Sequence, residues 1–252
     1  MVKRRALSRA DKELQPDRLP ALYKALVPLI AERHGTLYLS ESRGYDFAQD
    51  ANAVPLTVDE FPQAMRHYPI VFADGDIPTP VALVGQAPGR NDFVETDGRW
   101  RAGCYIPAYL RRYPFAYLRE SDTADRNILC ADLSSTLFDT KGDTARALFE
   151  DGAPSAVLKN VMDFCTRYET ALARTRAAME EAKRLDLIDT ASATVTANGK
   201  TLKVEGFSMI SEEKLRQLPD ADLAGLARRG VLNIYQCHHL SMTNFSTMGP
   251  AL

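Results

Sequence analysis

The chain has 252 residues, 45% hydrophobic and 25% charged, with a net charge of −2 and an isoelectric point near 6.1. That is ordinary globular composition, long enough for one large domain or two small ones. The charge balance argues against general nucleic-acid binding, which needs a basic surface, and no apolar run approaches the roughly 20 residues that cross a bilayer.

The first twenty residues, MVKRRALSRADKELQPDRLP, carry basic side chains with no apolar stretch behind them, so they do not form a secretory signal. Cys104, Cys130, Cys165 and Cys237 make no CxxC pair. They are expected as reduced, mostly buried thiols in a cytoplasmic protein. ALYKALVPLIAERHG is amphipathic around Pro28 and predicts a core-packing helix, with an interfacial helix as the alternative. Strand-length apolar runs follow: TLYLSES, Pro55 to Thr57, YPIVFA (Tyr68 to Ala73), PVALVG (Pro80 to Gly85) and NILCADL (Asn127 to Leu133). The short links between them favour antiparallel pairing. Asp97-Gly98 predicts a tight turn with positive φ.

From Pro154 to Ile188 the sequence becomes helical. Pro154 and Ser155 suit a helix start, and Val161, Phe164, Tyr168, Leu172, Thr175, Met179 and Ala182 form an apolar stripe. TVTANGKTLKVEG is a hairpin turning at Asn198-Gly199, and GFSMI (Gly206 to Ile210) reads as a further short strand. Ser211 caps a helix that has Glu212 and Glu213 in its first turn. Another helix runs from Asp220 to Arg228 and Arg229 and stops at Gly230. VLNIY predicts a strand, and QCHHLSMTNFSTM a surface return or a last short helix. The fold class is therefore α+β. A largely antiparallel sheet fills the N-terminal half, followed by a long amphipathic helix and a small C-terminal β-hairpin/αα/β unit. The whole is expected as one domain over 1–252, with a helical segment 1–36, a mainly β region 37–140 and a helical plus small α/β region 153–252. The oligomeric state is not legible in it.

Familiar catalytic motifs are missing. GQAPGRN lacks the GK[ST] of a phosphate loop, and there is no GxGxxG, GxSxG or HExxH. No histidine has an aspartate two places on, which speaks against the two-histidine, one-carboxylate iron site. No cofactor or metal is expected. His238 and His239 are adjacent, so they project in different directions and do not easily share one metal. One is expected inward and hydrogen-bonded, the other outward. A base role stays open for either, because imidazole titrates near neutrality.

The most distinctive stretch is FVETDGRWRAGCYIPAYLRRYPFAYLR, Phe93 to Arg119. Arg99, Arg101, Arg111 and Arg112 stand among Trp100, Tyr109 and Tyr113. In an extended chain Arg99 and Arg101 share one face and Trp100 takes the other. Residues 106–112 could be extended or helical, and Pro114 ends either form. One reading makes the segment a ligand or partner surface, with guanidinium groups clamping a carboxylate or phosphate and stacking on aromatic rings. The other pairs the arginines with Glu95, Asp97 and Glu120 inside the molecule.

Several blocks together resemble the SapC-like family of bacterial proteins: YPIVF, FVETDGRWRAGCYIPAYLRRYPF, LFEDGAPS, EGFSMISEEKLRQLPDADLAGLARRGVL and YQCHHLSMTNFSTM. The likeness runs from about Ala53 to Met248. The family takes its name from a surface-layer locus, and many members are encoded near TonB-dependent outer-membrane receptors, tryptophan-halogenase-like proteins and cupin-like oxygenases. The resemblance brings no catalytic residue set. The favoured reading is a non-catalytic accessory protein that binds a protein, peptide or anionic ligand through the Arg/aromatic segment, and the resemblance would make it an auxiliary of surface-layer or uptake systems. The alternative is an enzyme that modifies a peptide or small aromatic substrate, with His238 or His239, Glu212 and the arginines lining one pocket.

Overall fold

The computed structural model describes residues 19–41, 44–119, 127–139, 145–197 and 200–246. The chain begins with strand β1 (Leu26–Pro28), the helical turn α1 (Ala31–His34) and β2 (Tyr38–Ser40). It continues through β3 (Ala53–Pro55), the short helix α2 (Phe61–Ala64), β4 (Ile70–Ala73), β5 (Thr79–Leu83) and helix α3 (Ala108–Arg112). Next come β6 (Phe115–Arg119), β7 (Asn127–Asp132), β8 (Phe138–Asp139), β9 (Ala145–Ala147), β10 (Phe149–Glu150) and β11 (Ala153–Pro154). The last part holds the long helix α4 (Ala156–Arg184), strands β12 (Ile188–Ala197) and β13 (Lys200–Ile210), and helices α5 (Glu212–Arg216), α6 (Asp220–Arg228) and α7 (Val231–Ser241). The class is α+β, and every strand pair among the described residues is antiparallel.

The chain folds into two compact units, each assembled from two segments: 1–47 with 112–169, and 48–111 with 170–252. In the first unit, β1, β7 and β6 form one three-stranded sheet, and β8, β2 and β9 form another. The expected helix around Pro28 is absent. Residues 26–28 instead pair with β7, Leu26 opposite Asp132 and Pro28 opposite Cys130. Proline tolerates an edge strand because that strand need not donate on its outer side. The fully buried Asp132 carboxylate fixes this strand by accepting the N–H groups of Lys24 (2.7 Å) and Ala25 (3.0 Å).

The second unit is built on a five-stranded sheet of order β12-β13-β4-β5-β3. Alternation along β4 sends Val71 and Ala73 to one face and Ile70 and Phe72 to the other. On the first face Val71, Val81, Leu83 and Phe207 are buried, with Ala53, Ala73, Ala191, Ala193, Met209, Met242 and Phe245 partly buried around them. On the second, α7 brings up the buried Tyr235 and His238.

Helix α4 starts where Ser155 accepts the Leu158 N–H at 3.3 Å. Its buried stripe is Leu158, Cys165, Tyr168, Ala171, Thr175, Ala178, Met179 and Ala182. It is rotated slightly from the expected one, since Leu172 is exposed and Ala171 and Ala178 are buried. The hairpin turning at residues 198–199 has Ala197 opposite Lys200, while the two turn residues themselves lie outside the described ones. GFSMI is no separate strand but the end of β13. VLNIY is helical, a second correction. Gly230, in the left-handed region at φ 73°, turns the chain from α6 into α7. Tyr235, His238 and Ser241 are then buried at intervals of three, a helical period that the five residues VLNIY are too short to reveal.

Candidate functional site

The Arg/aromatic segment enters the second unit as a tight turn. Gly98 has φ 77°, and one β-bridge joins Val94 to Trp100. Trp100 points inward, 7% exposed, and its indole N–H donates to the Tyr68 hydroxyl at 3.0 Å. The Tyr68 hydroxyl in turn donates to the Tyr105 carbonyl. Phe93 stacks on the indole and meets Tyr68 edge-on. Arg101 lies over Phe93, 4.7 Å from the ring centre, donates to the Asp92 carbonyl and stands 3.7 Å from Glu95. Arg99 is the outward member, its side chain 81% exposed and paired with Asp97 at 2.6 Å. The Arg99 backbone N–H, and after it the guanidinium, holds the Asp97 carboxyl below its usual range.

The rest of the segment is internal too. Residues 108–112 are helical, Tyr109 and Leu110 are buried, and Arg111 donates to the Ile106 carbonyl (3.0 Å) and the Tyr105 hydroxyl (3.1 Å). Arg112 and Tyr113 belong to the first unit. Arg112 is 8% exposed, its guanidinium 4.4 Å from the Tyr168 ring centre and 3.7 Å from Glu169. Tyr113 is buried against Phe47 and Tyr23. A surface made of all seven residues is therefore corrected. Trp100, Tyr109, Arg112 and Tyr113 are interior, and Trp100, Arg112 and Tyr113 each find an aromatic or hydrogen-bonding neighbour within their own unit. Glu120 lies outside the described residues.

Beneath Tyr105 sits a carboxylate that sequence reasoning missed. Glu60 is 5% exposed and accepts four hydrogen bonds. They come from the Thr57 N–H (2.8 Å), the Thr57 hydroxyl (2.9 Å), the Tyr105 hydroxyl (3.1 Å) and the Ala108 N–H (2.6 Å). Burial, and then the Glu60 charge, push the Tyr105 hydroxyl up to about 12. The signal was present: Thr57-x-x-Glu60 is the capping-box pattern, and the box is formed here.

The histidine pair occupies a seam between β4 and β13. The two strands share one paired position, Ser208 opposite Phe72, so the peptides of Ile70 and Ile210 need other partners. Helix α7 supplies them. A carbonyl can only accept, so His238 donates from Nδ1 to the Ile70 carbonyl (2.7 Å), and its Nε2 accepts the Ile210 N–H (3.2 Å). Ser241 accepts the Ile70 N–H at 2.9 Å, and His239 donates from Nε2 to the Ile210 carbonyl at 2.8 Å. His238 is fully buried in the neutral form, and desolvation pushes its pKa down to about 4.

His239 is half-buried and lines an open groove of about 420 Å³. The other lining residues are Asp189, Ala191, Met209, Ile210, Ser211, Glu212 and Met242. His239 and Glu212 both line this groove, whereas the catalytic alternative asked for the arginines there as well. His238 and the arginines of residues 99–111 are not among its lining residues. With Nε2–H given to Ile210, the Nδ1 lone pair of His239 is the acceptor left for a bound molecule. Asp189 is held anionic, its carboxyl pulled below the usual range first by the hydrogen bond from Lys214. Among the described residues, no helix is long and apolar enough to cross a membrane.

The SapC family model matches residues 29–248. No curated protein and no solved structure matches the chain.

Proposed function

The chain belongs to the SapC family, and from that premise we propose that it is a cytoplasmic accessory protein that binds a protein or peptide segment in the groove beside His239. The carrying observation is the groove, whose lining joins apolar Ala191, Met209 and Met242 to polar Asp189, Glu212 and His239. Ligand sites typically enclose about 300–1,000 Å³ with a few placed polar groups, and methionines adapt to varied apolar side chains. The family's association with surface-layer and TonB-dependent uptake loci supports an auxiliary role. Among the described arginine side chains of the Arg/aromatic segment Arg99 is the exposed one, and the reading gives it an anionic group on the partner. Capture from native lysate tests the reading by comparing the parent chain with Met242→Glu and Arg99→Ala. A partner held by the parent and lost with Met242→Glu supports the groove. Equal recovery by both sinks it.

A catalytic reading of the same groove is favoured by one observation: His239, whose contact with Ile210 uses Nε2, and Glu212 line it together. It requires a mass change in a captured partner that disappears with His239→Gln while capture persists.

A further inference from the structure

The five-stranded sheet has two edges of opposite character. β3 is three residues long and contains Pro55, a short, proline-bearing edge of the kind that resists pairing with another chain. β12, at the other edge, runs for ten residues with the sequence IDTASATVTA. It has no proline and no lysine, and among the described strands it pairs with β13 alone. Its one charged residue, Asp189, lies at its beginning and is held by Lys214 at 2.7 Å. The register irregularity of the hairpin falls on the inner strand. Ser192 stands opposite two residues, Glu205 and Gly206, and Gly206 takes φ 79°. A bulge so placed leaves the outer strand regular. Beyond the Ser208–Phe72 pair the hairpin continues as a two-stranded ribbon, an arrangement of marginal stability in water without a third strand.

We propose that β12 is a self-association edge, on which β12 of a second copy of this chain pairs antiparallel. The charge pattern selects that occupant. A two-fold axis through Ala193 puts Asp189 opposite Ala197 of the second copy, so the strand's one carboxylate does not face its own duplicate, and like charges directly opposite would weaken such a pair. The same axis keeps Ala191 and Ala193 of the two copies on one side of the joined sheet. The row begins with Asp189, and Ala191 and Ala193 already pack against the Val71–Phe207 cluster. Pairing thus extends an apolar sheet face across two copies and supplies the ribbon with its third strand.

Sedimentation equilibrium of the full chain tests the proposal. The expected result is twice the 28.0 kDa chain mass at micromolar concentration, falling to 28.0 kDa on dilution. Ser192 is exposed, so Ser192→Lys leaves the monomer folded while placing two ammonium groups diagonally across the axis. It should raise the dimer dissociation constant about tenfold or more, a change of about 1.4 kcal/mol. Ala193→Cys should give a disulfide-linked dimer on mild oxidation, because facing Cα atoms lie about 4.5–5.5 Å apart, within disulfide range. Ala53→Cys on the opposite edge, and the parent chain, should not. Any of three results overturns the proposal: a parent chain of 28.0 kDa at every concentration, a dimer unaffected by Ser192→Lys, or no linkage through position 193 beyond that of the controls.

Discussion

Two regions of the second unit treat their polar side chains in opposite ways. Around Trp100 the arginines turn back on the fold. Arg101 covers Phe93, Arg111 covers Tyr105, and their N–H groups go to the carbonyls of Asp92 and Ile106. Around His239 the side chains are less conspicuous in sequence, yet they border open space. The contrast shows that a guanidinium among aromatics is as well suited to bracing a turn as to recognising a guest. The ring supplies the same cation–π contact in both cases, and only burial separates them.

The comparison breaks if the Trp100 region tolerates truncation. Trp100→Ala removes a buried indole and its hydrogen bond to Tyr68, and large aromatic deletions cost about 3–5 kcal/mol. Urea denaturation should show a loss of that size. A loss under about 1 kcal/mol, typical of surface changes, would return the indole to the status of a recognition element. Glu60→Ala comes next. It leaves four donors unmet in a buried site, at about 3 kcal/mol, whereas Glu60→Gln keeps one carbonyl acceptor and should lose less. Equal losses would show that the carboxylate's charge matters more than its lone pairs.

A third effect belongs to the seam behind the groove. Unfolded imidazole titrates near 6.5 and buried His238 at about 4, so between those values the unfolded chain takes up the proton first. Stability from this group is complete above pH 6.5 and is lost as pH falls toward 4, by about 3 kcal/mol in all at 1.36 kcal/mol per unit. Denaturation midpoints of the parent and of His238→Gln, measured from pH 7.5 to 4, isolate it. The variant, already less stable, should show a shallower fall. Parallel curves would mean that other groups carry the acid sensitivity.

Much of the fold was legible because its signals are local. Ser155 and Ser211 cap the helices that follow them, the α4 stripe recurs every three or four residues, and an Asn-Gly pair joins β12 to β13. Helix α7 was misread because VLNIY, taken alone, fits either period. Residues 26–28 were misread because pairing with β7, about a hundred positions away, overrode an amphipathic pattern. The site was harder still. Arg99 and Arg101 do meet Asp97 and Glu95, as one reading of the sequence had it. But Arg101, Arg111 and Arg112 also use backbone carbonyls and aromatic rings, which leave no trace in a charge count. The groove gathers Asp189, Met209 and the pair His239 and Met242 from three separate stretches, none unusual by itself.

The smallest effect sharpens the comparison most. Arg99 shares its turn with Trp100 but has the opposite exposure, and its partner Asp97 is next to it in the same turn. An ion pair between two solvated groups adds little, because water screens it and the long side chain loses freedom in holding it. Arg99→Ala should leave the denaturation midpoint unchanged within error while Trp100→Ala shifts it strongly. If both substitutions unfold the chain, the turn acts as one structural unit and no residue in it is available to a partner. If Arg99→Ala keeps stability but loses a captured protein, the segment divides between adjacent residues: the indole holds the fold and the guanidinium beside it meets the guest.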